Sequence, residues 1–96
     1  MVVAMYVILV YDIKMDETGP RAWRNIFNIC KKYLTHIQNS TFEGELSPSA
    51  LHKLYYELQN WIRKDRDSVL IFKSRDNKWL KKEFWGLEDD KTSNFL

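Results

Sequence analysis

Residues 2 to 11 form an unbroken run of ten apolar side chains, and five of them (Val2, Val3, Val7, Ile8, Val10) are β-branched. A membrane-crossing helix needs roughly 20 such residues. No basic residue precedes the run and no small-residue cleavage site follows it, which argues against a secretory leader. β-branching instead favours a buried strand. The pattern predicts a strand from Met5 to Ile13, apolar on both faces and therefore central in its sheet.

After a polar connection, Gly19-Pro20 reads as a helix entry, with Pro20 in the first turn where its missing N–H costs nothing. Trp23, Ile26, Phe27, Cys30, Tyr33 and Leu34 then recur at steps of three and four, one face of an amphipathic helix. Arg24, Asn28, Lys31 and Lys32 fall mostly on the other side. The stretch His36 to Leu46 carries many polar residues and reads as a third element, a single strand with one face at an interface. Ser47-Pro48 predicts a second helix capped by Ser47. Leu51, Leu54, Tyr55, Leu58, Trp61 and Ile62 carry that helix to about Lys64, where Arg63 and Lys64 suit the negative end of its dipole. Ser68 to Lys73 is a short apolar strand, and Trp79 to Trp85, with Leu80 and Phe84 on one face, reads as another.

Counting Trp79 to Trp85 as the fourth strand, the order is βαββαβ in outline. Two helices on one face of an antiparallel sheet is the ferredoxin-like solution, an α+β fold. That fold hosts many chemistries and selects none of them.

Composition narrows the rest. Ninety-six residues make one small domain, and 45% hydrophobic with 29% charged residues describes a folded chain. Its fourteen aromatics supply large buried areas, and association with a second copy would add more. A net charge of +2 is too close to balance to imply a polyanionic partner by itself. A lone cysteine, Cys30, excludes an internal disulfide and a multi-cysteine zinc site, and fits a reducing cytoplasmic setting without membrane attachment.

Few residues suggest chemistry. Asp12 interrupts the first strand near its carboxyl end, where it is either a solvated acid or a cation ligand; strand ends commonly carry acids, which favours the first reading. Asp16 and Glu17 read as solvated loop charges. Magnesium takes hard oxygen ligands and commonly uses one or two carboxylates with water and phosphate. A lone Asp12 would hold it poorly, whereas a twofold dimer with Asp12 near its axis would supply two copies. His36 and His52 have no partner at ligand spacing. There is no phosphate-cradling Gly-rich loop, nucleophile elbow or His-Glu-x-x-His, and SVLIFKS lacks the basic-Gly-aromatic pattern of an RNA-recognition strand. Basic residues gather at Arg21, Arg24, Lys31 and Lys32, at Arg63, Lys64 and Arg66, and at Lys73, Arg75, Lys78, Lys81 and Lys82. Any one group is by default a solvated surface; together they leave phosphate contact open.

Three blocks taken together resemble the small CRISPR-associated endonuclease family, the second core protein of spacer acquisition. MYVILVYDI (Met5 to Ile13) is similar to its first strand with the terminal acid. IQNSTFEGEL (Ile37 to Leu46) is similar to its second strand and is the most specific block. SVLIFK (Ser68 to Lys73), followed by Gly86-Leu87-Glu88, resembles its closing part. The resemblance implies a homodimer in which a C-terminal strand, here within the tail 86–96, completes the partner's sheet. It also implies magnesium-dependent cleavage of RNA or DNA in some members, and assembly with a larger integrase subunit on duplex DNA. By the same resemblance Asp12 matches the metal-binding acid, Arg21 or Arg24 a basic residue that follows it, and Phe42 an aromatic near the site. His36 departs from the pattern, standing where many members have Arg or an aromatic residue. The reading that results is a dimeric spacer-acquisition protein with metal-dependent endonuclease capacity. The alternatives are a non-catalytic architectural dimer bridging integrase subunits and a toxin-like messenger-RNA interferase of similar fold.

Overall fold

The computed structural model describes residues 4–75. The predicted strand Trp79–Trp85, the tail 86–96, and Lys81 and Lys82 lie outside the described residues. The order is β1 (Met5–Asp12), α1 (Gly19–Tyr33), β2 (Thr35–Gln38), β3 (Thr41–Leu46), α2 (Pro48–Gln59) and β4 (Ser68–Ser74). The sheet runs β2-β3-β1-β4 with every neighbouring pair antiparallel. β1 is central, as its two apolar faces predict.

Alternation along β1 divides the molecule. Val7, Leu9 and Tyr11, with Ile13 just beyond the strand, are buried beneath the helices with Ala22, Ile26 and Cys30 of α1 and Leu54 and Leu58 of α2. Tyr6, Ile8, Val10 and Asp12 point to the opposite face, which no helix among the described residues covers (the helix-free face). Burial pushes the Cys30 thiol up to about 12, so the residue stays neutral and serves as packing, as its place in the apolar stripe predicts. Ser47 caps α2 as expected, its Oγ accepting from the Ala50 N–H at 3.1 Å. In α1 the Gly19-Pro20 entry holds, with Pro20 inside the first turn.

Three expectations need correction. The segment 36–46 is two strands rather than one: Asn39 and Ser40 form a tight turn and the chain doubles back. Asn39 takes a φ of 44°, a left-handed conformation that Asn tolerates through its short polar side chain, so no Gly or Pro marks the hairpin. The His36 ring, through Nε2, meets the Asn39 carbonyl at 2.7 Å and braces the turn. The fourth strand of the βαββαβ order is therefore Ser68–Ser74. The helix expected to reach Lys64 ends at Gln59. Tyr55, placed on that helix's apolar stripe, is half exposed.

Candidate functional site at the end of the central strand

Asp12 is the last residue of β1 and is exposed. Its flanks are not: Tyr11 and Ile13 are buried, so the backbone on both sides of the carboxylate is anchored in the core. On the β4 side Asp12 is in register with Ser68, the last pair of that ladder. On the other side pairing with β3 ends at Val10, and the Tyr11 N–H donates to the Ser40 carbonyl at 3.1 Å. The Asp12 carboxylate has no hydrogen-bond or ion-pair partner among the described residues.

The acids nearest to it in sequence and register are committed. Arg63 directs Nε at Asp67 Oδ2 (2.9 Å) and Nη2 at both Asp67 Oδ1 (2.9 Å) and the Lys14 carbonyl (2.6 Å). Its Nη1 donates to Thr18 Oγ1 at 2.7 Å and to the Asp16 carboxylate. All five guanidinium donors are thereby used. Arg66 reaches the other Asp16 oxygen at 3.0 Å. Hydrogen bonds from Arg63, then from Arg66 and the Thr18 N–H, hold the Asp16 carboxyl well below the usual carboxylate range. Asp16 is thus an ion-paired hinge of the fold and not a solvated loop charge. Burial alone would raise Asp67, but hydrogen bonds from the Arg63 side chain and N–H and from the Lys14 N–H outweigh it and hold that carboxyl low. The Arg63 guanidinium is correspondingly stabilised in its charged form, first by Asp67 and then by Asp16.

The predicted contact residues separate on this geometry. Arg21 and Arg24 are exposed on the first two turns of α1, at the Asp12 end, and Arg21 lies 5.5 Å over the Trp61 ring. Lys64 is exposed and follows Arg63 directly in the chain. Phe42 requires a correction: it is fully buried, stacked on Tyr11 and edge-on to Phe27, because alternation along β3 turns it beneath the helices. It offers no surface to a nucleic acid and acts on the site only by supporting Tyr11. Arg63 is corrected likewise, because a guanidinium with five internal bonds has no donor left for phosphate. Sequence reasoning missed Lys14, Asp16 and Asp67 as a unit. The signal was the mixed charge of RKDRD (63–67), basic and acidic residues packed into five positions.

A carboxylate fits magnesium in kind, since the ion takes hard oxygen donors. Among the described residues no three His, Cys, Asp or Glu side chains gather closely enough to hold a metal. The Asp12 carboxylate by itself offers one such donor group. The same helix-free face carries Leu70 and Phe72 of β4, half exposed and in register with Val10 and Ile8. No helix among the described residues is long and apolar enough to cross a membrane.

A four-stranded antiparallel sheet with two helices on one face is a ferredoxin-like α+β fold, here with an acid at the end of its central strand. The model of the family described as CRISPR associated protein Cas2 matches residues 5–82. The chain belongs to that family. It is 60% identical over 92 residues to a CRISPR-associated endoribonuclease Cas2 of Fusobacterium nucleatum subsp. nucleatum, covering 96% of this chain and 87% of the relative. A protein of the same description from Thermotoga maritima is 38% identical over 84 residues, covering 88% and 91%. A crystal structure of cas2 superposes with a TM-score of 0.77 at 34% identity, covering 91% of this chain and 92% of the other. Streptococcus pyogenes Cas2, at 21% identity and a TM-score of 0.71 over 82% and 98% of the two chains, shares the fold.

Proposed function

We propose that this protein is a CRISPR adaptation protein that works as a homodimer and cleaves RNA phosphodiesters in a magnesium-dependent reaction centred on Asp12. The observation that carries the reading is the position of Asp12: an exposed carboxylate without a partner among the described residues, on an anchored strand end and on the same face as the apolar Leu70 and Phe72. Packing that face against a second copy would cover the apolar pair, and a twofold axis near the strand ends would set two Asp12 side chains toward one another. The relatives described as endoribonucleases support RNA as the substrate class.

Two Asp12 carboxylates would hold the ion, and magnesium when bound supplies polarisation of the phosphodiester and a lowered pKa for an attacking water. The protein's own residues do the rest. Tyr11 and Ile13 anchor the strand end, so Asp12 meets its ligand without reorganising. Arg21, Arg24 and Lys64 line the same end and contact phosphate oxygens, which positions a strand without reading its bases. By the same contacts the dimer engages duplex DNA and the larger integrase subunit of spacer acquisition, a cytoplasmic role that does not require turnover.

The test is cleavage of single-stranded RNA by the purified protein over a magnesium series. Asp12→Asn is expected to lose at least about a hundredfold in rate, the scale at which loss of one essential charged group is felt in such sites. Its melting temperature should be unchanged. Equal cleavage by the variant would remove Asp12 from the reaction and leave the architectural role.

A further inference from the structure

The end of β1 poses a mechanical problem. Asp12 is paired on one side only, at the terminal position of the β1–β4 ladder, and strand ends of that kind fray unless something beyond them is tied down. Two residues further on, the Lys14 backbone is held at both of its polar groups. Its N–H donates to Asp67 Oδ1 at 3.1 Å, and its carbonyl accepts from Arg63 Nη2 at 2.6 Å. Asp67 and Arg63 are themselves joined by two side-chain bonds of 2.9 Å and by the Arg63 N–H to Asp67 Oδ2, also 2.9 Å. The result is a closed ring of Lys14 backbone, Asp67 carboxylate and Arg63 guanidinium. The Asp67 side chain is fully shielded from solvent, and that of Arg63 is only 18% exposed, so water competes poorly for these bonds.

A second side of the clamp holds the loop beyond. Arg63 and Arg66 share the Asp16 carboxylate, which also accepts from the Thr18 N–H at 3.2 Å, and Arg63 donates to Thr18 Oγ1. Gly19 opens α1 against the same carbonyl: a Cβ there would stand 2.3 Å from the Lys14 oxygen, a distance no side chain tolerates. Strand end, loop and helix start are thus referred to a single guanidinium that reaches them from the turn after α2.

We infer that Arg63, through Asp67 and Asp16, is a positioning residue for the Asp12 site: it fixes the exit path of the chain after Asp12 and so the carboxylate's placement, without touching substrate itself. The inference rests on the proposal that Asp12 is the reacting-centre acid. It adds that the planar five-donor fork is what matters, so Lys, which keeps the charge but offers a single donor point, does not substitute.

The experiment uses the full chain and two readouts. In metal-free protein, amide hydrogen exchange of residues 13–18 in Arg63→Lys is expected to accelerate at least tenfold, with residues 7–10 of β1 unchanged. Asp16→Asn, which leaves the Lys14–Asp67–Arg63 ring intact, should accelerate residues 16–18 alone, and it serves as the variant should Arg63→Lys fold poorly. In parallel, Mn²⁺ added alone and followed by its electron paramagnetic resonance signal should bind Arg63→Lys five- to tenfold more weakly than wild type, while metal-free RNA affinity stays within twofold. Unchanged exchange over residues 13–18 in folded Arg63→Lys would overturn the inference, as would local acceleration together with an unchanged Mn²⁺ affinity. If wild type and Asp12→Asn bind Mn²⁺ alike, the metal reading of Asp12 fails, and exchange still decides whether Arg63 fixes the loop.

Discussion

The two faces of β1 are written by alternate residues of one strand, yet they obey different rules. On the covered face Val7 and Leu9 are wholly buried and Tyr11 nearly so, packed with Phe42, Ile26 and Leu54. On the helix-free face Ile8 and Val10 are half buried, Asp12 is exposed, and neighbouring β4 leaves Leu70 and Phe72 half exposed. Composition does not explain the contrast, since both sides of the strand are apolar up to Asp12. The difference lies in what packs over each: two helices of this chain on one side, and no described helix on the other. That face carries half-exposed apolar side chains and, at the end of β1, a carboxylate with no partner among the described residues.

Leu9→Ala tests that contrast most severely. Removing a fully buried side chain from the covered face should cost about 2–5 kcal/mol in chemical denaturation, through lost transfer energy and the cavity left behind. The equivalent cut on the helix-free face should act on association. Phe72→Ser is expected to change the stability of the isolated chain by less than about 1 kcal/mol. It should raise the dimer dissociation constant about thirtyfold, the effect of losing an anchor worth about 2 kcal/mol. Sedimentation over a concentration series reads this directly, and a Phe72→Ser dimer as tight as wild type would place the interface elsewhere.

A subtler effect is expected from acid. Asp16 and Asp67 both have folded-state pKa values below their ordinary ones, so the stability they contribute is fully present at neutral pH. It is lost as pH falls through and below the usual Asp range near 4. The melting temperature should therefore fall on acidification, and Asp16→Asn should flatten the slope. A variant whose acid profile matches wild type would show that the clamp does not report on folding. The smallest effect belongs to the outer surface of the helices. Lys32 and Glu57 pair there with side chains 58% and 34% exposed, and the Tyr33 hydroxyl also donates to Glu57. Exposed pairs of this kind contribute little and are screened by salt, so Lys32→Gln should leave the melting temperature unmoved at physiological ionic strength.

Much of the frame was legible from local pattern. The apolar run before Asp12, the Gly19-Pro20 entry, the Ser47 cap and the spacing of Ile26, Cys30, Leu54 and Leu58 each state a period or a terminus that depends on neighbours in the chain. The hairpin at Asn39-Ser40 was not legible, because its turn uses an Asn in the left-handed region where the stronger signal is Gly. The end of α2 was missed for a related reason. Trp61 and Ile62 continue the apolar spacing past Gln59 and pack against the core, but from a turn.

The candidate site shows the same division. That Asp12 stands at the end of an apolar strand is a property of the sequence, as is the mixed-charge run RKDRD (63–67) immediately before SVLIFK. Which acids remain free is not. Asp16 lies four positions from Asp12 and Asp67 lies fifty-five, and only the antiparallel pairing of β1 with β4 brings Arg63 against both and leaves Asp12 alone. The same holds for Phe42, whose burial follows from the face that the β1–β3 register assigns it. Sequence periodicity determined which residues could form strands and helices, because burial alternates with backbone geometry. Tertiary structure decided which charges neutralise one another, because ion pairing depends on distances between elements far apart in the chain.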